Sequence, residues 1–394
     1  MQDPPARLGG IAGLGSVPLA WRNLVSNKSR LLRSAAGIGF AVLLMLMQLG
    51  FEQAFFDSAL VVIRGLDGDI VLQSAHKYQF ATRDPFPRAD LDKAREVPGV
   101  ASARPLYADW FNFFWKNPID GKVFLVRGFG FDPDAPVFSF DDVNAKRGKL
   151  EEPNTVLVDR RARRFLGMDS GATEAEVNGT KVKIVGRFAL GPDFQSDGTV
   201  IMSAPTFASL LRGPAGDPAA VDLGVVKVRA GDDPAAVLRS LRKALPATVT
   251  VFTKQELIEF ERKFQAAVSS AGPIFAMGTI VGFVVGMLIS YQVTYTDLSD
   301  QLPQYATLKA MGYRTGYLLR VVFEQAAFNA LAGWVPALLL SLLLYYVIGR
   351  LALLPLHMTA RVMLVSLGLT LGMCLISAAI AVGRVITADP AEVF

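Results

Sequence analysis

The chain has 394 residues, 52% of them hydrophobic and 19% charged, with a formal net charge of +5 and one cysteine. That balance is too apolar for a water-soluble protein of this length, and it also excludes disordered and disulfide-stapled classes. Charged side chains cost about 3 kcal/mol each at the centre of a membrane helix, so their absence marks where spans can lie. Four uncharged windows, 34–51, 264–296, 325–349 and 362–383, approach or exceed the roughly 18 to 20 residues that cross a bilayer.

In chain order, residues 1–33 read as a cytoplasmic N-terminus. From Val17 the apolar residues Trp21, Leu24, Val25, Leu31 and Leu32 recur at three- and four-residue steps opposite Arg22, Asn23 and Arg30. This spacing predicts an amphipathic helix on the inner membrane surface. The first span is placed at 34–56 and is read as an uncleaved anchor, because it lacks a small-residue cleavage site and runs on into Ala54-Phe55-Phe56. Arg7, Arg22, Lys28, Arg30 and Arg33 stand against Asp3 alone, which holds this end in the cytoplasm. Residues 57–265 then form an external, periplasmic domain large enough for a core of its own.

Within that domain "DGDIVLQS" and "KVFLVRGFGF" read as strands and "PRADLDKAREVPGV" as a helix stopped at Pro98-Gly99. A matching unit closes the domain, with "VDLGVVKVRA", "DDPAAVLRSLRKAL" and "ATVTVFT" as strand, helix and strand. Two such units predict a ferredoxin-like, porter-like α+β layer. Between them, from about 150 to 215, strands around an Asn178-Gly179 hairpin turn predict an inserted β-rich subdomain. "ELIEFERKFQAAV" is expected to be a helix running into the second span, either as a continuous force-bearing rod or as a simple connector.

The remaining boundaries are a second span at 266–293, a cytoplasmic loop at 294–318, a third span at 319–349, a short external loop at 350–361, a fourth span at 362–386 and a cytoplasmic tail at 387–394. Arg350 and Arg361 beside the external loop run against the positive-inside pattern. The fold class is thus a membrane protein of four transmembrane helices plus a large α+β periplasmic domain.

No phosphate-binding loop of the Gly-x-x-x-x-Gly-Lys-Ser/Thr kind occurs, and His76 and His357 are the only histidines, so neither ATP binding nor a metal centre is expected in this chain. Gly128-Phe129-Gly130 follows a strand, but Asp132-Pro133 breaks a dinucleotide fingerprint. No catalytic residue is proposed. Cys374 falls in an apolar window and reads as a packing residue.

Gly278, Gly282 and Gly286 make a four-residue stripe in the second span, and Gly368 and Gly372 repeat it once in the fourth. Such stripes let helices approach closely, either as a dimer seam or within one subunit. In "DWFNFFWKNP" the cluster of Trp110, Phe113 and Trp115 reads as a strand buried on both faces, with an exposed partner surface as the alternative.

The cytoplasmic loop carries Ser299 or Asp300 where an N-cap belongs, Pro303 where a first turn tolerates it, and Gly312 as a stop. Residues 303–311 are therefore expected to form a short separate helix, either docking into a soluble partner or capping a helical hairpin.

"QLPQYATLKAMGY" with the span after it resembles the cytoplasmic loop and third span of FtsX-like, MacB-type ABC transporter permeases, and among them the DevC family. "PLAWRNLVSNKSRLLRSAAGIGFAVLL" is similar to that family's N-terminal helix and first span, and "ADPAEVF" to its tail. The resemblance implies a homodimer in the bacterial inner membrane with both termini cytoplasmic, working by mechanotransmission in tripartite efflux. It implies a separate ABC ATPase, with ATP and Mg bound in that partner, a periplasmic membrane-fusion adaptor, and an outer-membrane channel reached through the adaptor. It assigns ATPase coupling to Asp300, Leu302, Pro303, Gln304, Tyr305, Thr307, Leu308, Lys309, Met311, Gly312 and the acidic position Glu324, which is also placed to pair with Arg320. A lipoprotein-releasing or FtsX-like regulatory permease, and a membrane-anchored receptor or scaffold, are the alternative readings.

Overall fold

The computed structural model describes residues 28–211, 217–269, 271–311 and 315–387. The expected N-terminal amphipathic helix, for all but its last residues, and the "ADPAEVF" tail lie outside them. The chain opens with helix α1 (Lys28–Ala59) and the short α2 (Val61–Arg64). It then forms β1 (Ile70–Ser74), β2 (Phe86–Pro87), α3 (Arg88–Arg95), β3 (Val100–Lys116), β4 (Val123–Phe131) and α4 (Asp141–Asn144). Next come β5 (Thr155–Asp159), β6 (Glu174–Val177), β7 (Thr180–Phe188), β8 (Thr199–Ser203), α5 (Ala204–Leu211) and β9 (Ala220–Val221). The large domain ends with β10 (Leu223–Val228), α6 (Pro234–Ala244), β11 (Val249–Thr253) and α7 (Lys254–Val268), and three long helices follow, α8 (Ala271–Ala310), α9 (Thr315–Ala352) and α10 (Ala360–Thr387).

Among the described residues four helices are long and apolar enough to cross a membrane, over Leu31–Ala59, Ala271–Gln301, Leu319–Ala352 and Ala360–Gly383. Their shared core gathers Ile38, Met45 and Leu46 of α1 with Ala326 and Ala330 of α9 and Met373 and Ala378 of α10.

The large domain is built on two β-α-β units, β1-α3-β3 and β10-α6-β11, whose strands pair antiparallel in the order β11-β1-β10-β3. This is the ferredoxin-like arrangement. Every residue of β1 is buried because both sheet faces are covered. Leu91 of α3 and Leu241 of α6 pack with Ile70 and Leu72 on one face, while Val71 and Val225 meet Ile63 of α2 and Leu257 of α7 on the other.

Between the two units the sheet continues from β3 through β4, β8, β5, β7 and β6, and the end of β3 pairs again with β6 at Trp115 and Lys116. Six strands thus close on themselves, so the inserted β-rich part shares β3 with the ferredoxin-like part. The β6–β7 hairpin turns at Asn178 and Gly179, with φ of 51° and 76°, the two left-handed positions that a tight hairpin of this kind requires. Gly128 and Gly130 are needed for contact: a Cβ at Gly128 would lie 2.4 Å from the Phe113 ring, and one at Gly130 would lie 2.6 Å from Phe207 Cβ.

β3 serves both halves by changing register between Asp109 and Phe113. The backbone N–H groups of Phe111 and Asn112, drawn out of the ladder there, donate to Asp109 Oδ1 at 2.8 and 2.9 Å. The irregularity turns Trp110, Phe113 and Trp115 all inward, where they are buried, and leaves Phe111 and Phe114 outside. The partner-surface reading of Trp110, Phe113 and Trp115 is corrected accordingly: these rings are core, and Trp115 Nε1 is satisfied by Leu166 O at 2.8 Å.

Of the two readings of the segment before the second span, a continuous rod or a simple connector, the break after α7 favours the connector. α7 stops at Val268, and Ser269 takes an extended conformation, with ψ of 129°. Pro273 explains this, since its ring collides with the carbonyl four residues earlier, that of Ser269, if the helix is carried through.

Candidate functional site

α8 continues as one helix through residues 299–310 with Pro303 inside it. The expected short helix with its own N-cap is therefore corrected. A cap needs a side-chain oxygen that accepts a forward N–H, whereas Ser299 Oγ donates backward to Tyr295 O at 2.9 Å, as Thr296 Oγ1 does to Gln292 O. The segment to which the resemblance assigns coupling is the end of the second span's own helix.

Asp300, Pro303 and Met311 are exposed along this end. The side chains of Leu302, Gln304, Tyr305, Thr307, Leu308 and Lys309, and the whole of Gly312, lie outside the described residues. On α9, Glu324 Oε1 receives Arg320 Nε at 2.9 Å, the i,i+4 pair that the spacing allows. One residue on, Gln325 Nε2 donates to Gln301 Oε1 at 3.4 Å, tying α9 to the same end of α8.

The Gly278 stripe faces this chain's own helices. A Cβ at Gly278 would stand 2.5 Å from Gln48 of α1, one at Gly282 would stand 2.9 Å from Met45, and one at Gly286 would stand 2.4 Å from Met373 Sδ of α10 and 2.9 Å from Ala41. A Cβ at Gly368 or Gly372 would meet nothing within 4 Å among the described residues. Hydrogen bonds add to the close packing: Trp334 Nε1 donates to Ser366 Oγ at 3.1 Å, Ser377 Oγ to Met287 O at 2.7 Å, and the Tyr345 hydroxyl to Leu46 O. In an apolar solvent such bonds and backbone proximity replace hydrophobic burial as the source of helix association.

The large domain holds two buried charge clusters that pattern reading missed. Arg127 lies in the middle of β4. It donates to Thr199 Oγ1 at 2.6 Å, to Gly191 O at 3.0 Å and to the Asp193 carboxylate. Asp193 also accepts the N–H groups of Gln195 and Ser196, and Asp159 accepts those of Leu190 and Gly191. The 189–198 loop is fixed from both sides, and the ring of Phe194 rests edge-on against Phe55 of α1, 5.1 Å between centroids. The sequence signal was there: a lone arginine inside "KVFLVRGFGF" is tolerable only if it is paired.

The second cluster gathers Lys77, Arg83 and Asp84 of the loop after β1 with Asp109, Asp222 and Glu261. Arg83 Nε lies 3.0 Å from Asp222 Oδ1, and Glu261 Oε2 accepts Phe80 N–H at 2.8 Å. Burial drives the Lys77 ammonium down to about 8, against the pull of Asp222, Glu261 and Asp84, and pushes the Asp222 carboxyl up.

Residues 34–244 match the family described as the MacB-like periplasmic core domain, and residues 276–390 that described as the FtsX-like permease C-terminal. No curated protein matches the chain. Among solved structures, the extracellular domain of the noncanonic ABC-type transporter YknZ from Gram-positive bacteria is similar at 11% identity and a TM-score of 0.31, over 47% of this chain and 99% of that one. A permease-protein domain from Porphyromonas gingivalis is similar at 16% identity and a TM-score of 0.29, over 46% of this chain and 85% of that one.

Proposed function

The chain belongs to the MacB- and FtsX-like permeases, one match alone spanning more than half of it, and from that premise we propose that it is the membrane subunit of an exporter driven by a separate ATPase. The observation that carries this reading is the continuity of α8. Forty residues of unbroken helix, about 60 Å, run from Ala271 to Ala310, so a push at Pro303 is carried along α8 as far as the break that follows α7. ATP binding in the partner draws two ATPase copies together. Their surfaces move the ends of α8, and the large domains, on the periplasmic side of the inner membrane, pass the motion to an adaptor and its outer-membrane channel. The chain acts as a homodimer and performs no chemistry itself. The four uncharged windows support this, because cargo handled outside the bilayer needs no polar path between the spans.

The test is purification of the full chain from its native membrane in a gentle detergent, with identification of every protein that accompanies it. A phosphate-loop ATPase together with a periplasmic adaptor is the expected result. An ATPase without an adaptor transfers the reading to lipoprotein release or cell-wall regulation, and repeated absence of any ATPase overturns it.

A further inference from the structure

The two charge clusters of the large domain differ in how completely they are satisfied, and the difference has a mechanical meaning. Around Arg127 each buried charged group meets an opposite charge or hydrogen-bonding partners placed for it. Around Lys77 the compensation is looser. Lys77 is buried, yet among the described residues its ammonium has no carboxylate within ion-pair distance, and it lies over the Phe80 ring, 5.6 Å from the centroid. Gln73, which donates weakly to Lys77 O, keeps a buried Oε1 without a partner. A buried ionic network that is only partly satisfied costs more than it returns in stability, which makes this cluster a weak point of the domain.

What the loose cluster holds is α7. At its first turn this helix is fixed firmly: Thr253 and Glu256 form a reciprocal capping box, and Lys254 Nζ donates to Arg64 O and Leu66 O, both at 2.7 Å, at the end of α2. Further along, Glu261 is 2% exposed and accepts both Phe80 N–H and Gln265 Nε2 at 2.8 Å. Tyr78 lies against Phe264, 5.6 Å between centroids. The loop's far end is anchored in the sheet by Arg83 on Asp222 and by Ser74 Oγ donating to Asp84 at 2.6 Å.

We infer that residues 75–85 form a releasable latch across α7, with the Glu261 carboxylate as its catch. Closed, as in this structure, the latch makes α7 part of one body with the sheet. Open, it leaves α7 attached through its first half, by the capping box, Lys254, Leu257 in the core and Phe260 against Phe252. The device belongs to the large domain alone and does not depend on which partners the chain has.

Hydrogen–deuterium exchange on the full chain in lipid nanodiscs, without partners, tests this. Glu261→Ala is expected to raise exchange tenfold or more in both 75–85 and the second half of α7, with β5–β8 unchanged. Glu261→Gln, whose amide oxygen still accepts Phe80 N–H, is expected to restore most of the protection. Three results overturn the inference: no change in either segment, a change in the loop without α7, or a rise that includes β5–β8 and so marks Glu261 as an ordinary support of the whole fold. Should the alanine variant not accumulate, Phe264→Ala, which removes the ring under Tyr78 alone, is read by the same criteria.

Discussion

Arg127 of β4 and Asp193 of the 189–198 loop form a buried ion pair on the wall of a closed ring of six strands, 1% and 7% exposed. A pair so completely withdrawn from water is weak as a source of net stability and severe to break, because removing one partner strands the other. Arg127→Ala is therefore expected to destabilise the large domain by about 3 to 5 kcal/mol. It should also loosen the 189–198 loop and so the contact of Phe194 with Phe55. Arg127→Met combined with Asp193→Asn should recover much of the loss, since the asparagine oxygen still accepts the Gln195 and Ser196 N–H groups. Denaturant midpoints of the full chain decide this; an unaffected R127A midpoint removes the argument.

The same logic of space governs the spans. Gly286→Leu must displace both Met373 and Ala41, and overpacking of this kind costs about 1 to 3 kcal/mol. The variant is expected to lower the unfolding temperature of the detergent-solubilised chain as a monomer. Gly368→Leu, with open space before it, should leave that temperature unchanged. If instead Gly286→Leu altered self-association alone, the stripe would serve a second copy of the chain rather than α1 and α10.

Much of this architecture is legible in the residues. Asn178-Gly179 dictates its hairpin, and the two β-α-β units announce themselves by period and by caps such as Asp233 before Pro234, whose carboxylate accepts the Ala235 and Ala236 N–H groups. The closure of β3 on β6 was not legible, because Trp115 and Val177 are brought together by tertiary pairing that no local pattern encodes. In "DWFNFFWKNP" the irregularity at Asp109 shifts the alternation, so the inward and outward rings cannot be told apart by period two. Gly272-Pro273 marked the end of α7 all along, but the uncharged window from 264 to 296 runs straight across it. Around Pro303 the sequence permits either a first turn or an interior position, and the backward bond of Ser299 settles it.

The latch carries a pH signature. Lys77 is held near 8 when the loop is closed and returns toward its ordinary 10.5 when the loop opens to water. Between those values the open form binds a proton that the closed form lacks, so rising pH favours the closed form. Protection of 75–85, corrected for the intrinsic rise of exchange with pH, is expected to increase from about pH 8 towards 10 and to lose that slope in Lys77→Met. The groups facing the ammonium are Asp222 from the strand side, Glu261 from α7, and Asp84 and Arg83 from its own loop. Asp222, pushed up by burial, acts in the opposite sense, favouring the closed form as pH falls. Asp222→Asn removes that opposing slope and also the carboxylate's pull on Lys77, so its rise in protection should begin at a lower pH.

An acid limb should mirror this. Asp67 is half-exposed, and its carboxyl is pushed up by partial burial but more strongly drawn down by Lys227 at 3.1 Å and Arg104 at 3.2 Å, so its folded value lies below the ordinary one. Its contribution is present above the unfolded value of 3.8 and fades as pH falls through the lower folded value. Asp67→Asn should flatten the acid side of the stability curve without moving the neutral plateau greatly, as screening of a half-exposed pair dictates.

The continuity of α8 is the part of the proposed mechanism most open to direct attack. Replacing Tyr295 and Thr296 together by glycine adds about 1 kcal/mol of helix-breaking tendency at each position and removes the backward bond from Thr296 to Gln292 O. Both residues precede Asp300, the first of the residues assigned to coupling, so the ATPase should still be recovered with the chain. If α8 works as a lever, export should fall several-fold while ATP hydrolysis by the complex persists, because the softened helix yields instead of transmitting. Changes at Tyr305, Leu308 or Lys309 should differ in kind, lowering recovery of the ATPase itself with the chain still inserted. Equal loss of ATPase recovery in both sets would mean that α8 is a docking element alone, and full export by the double-glycine variant would show that motion reaches the large domain by another route.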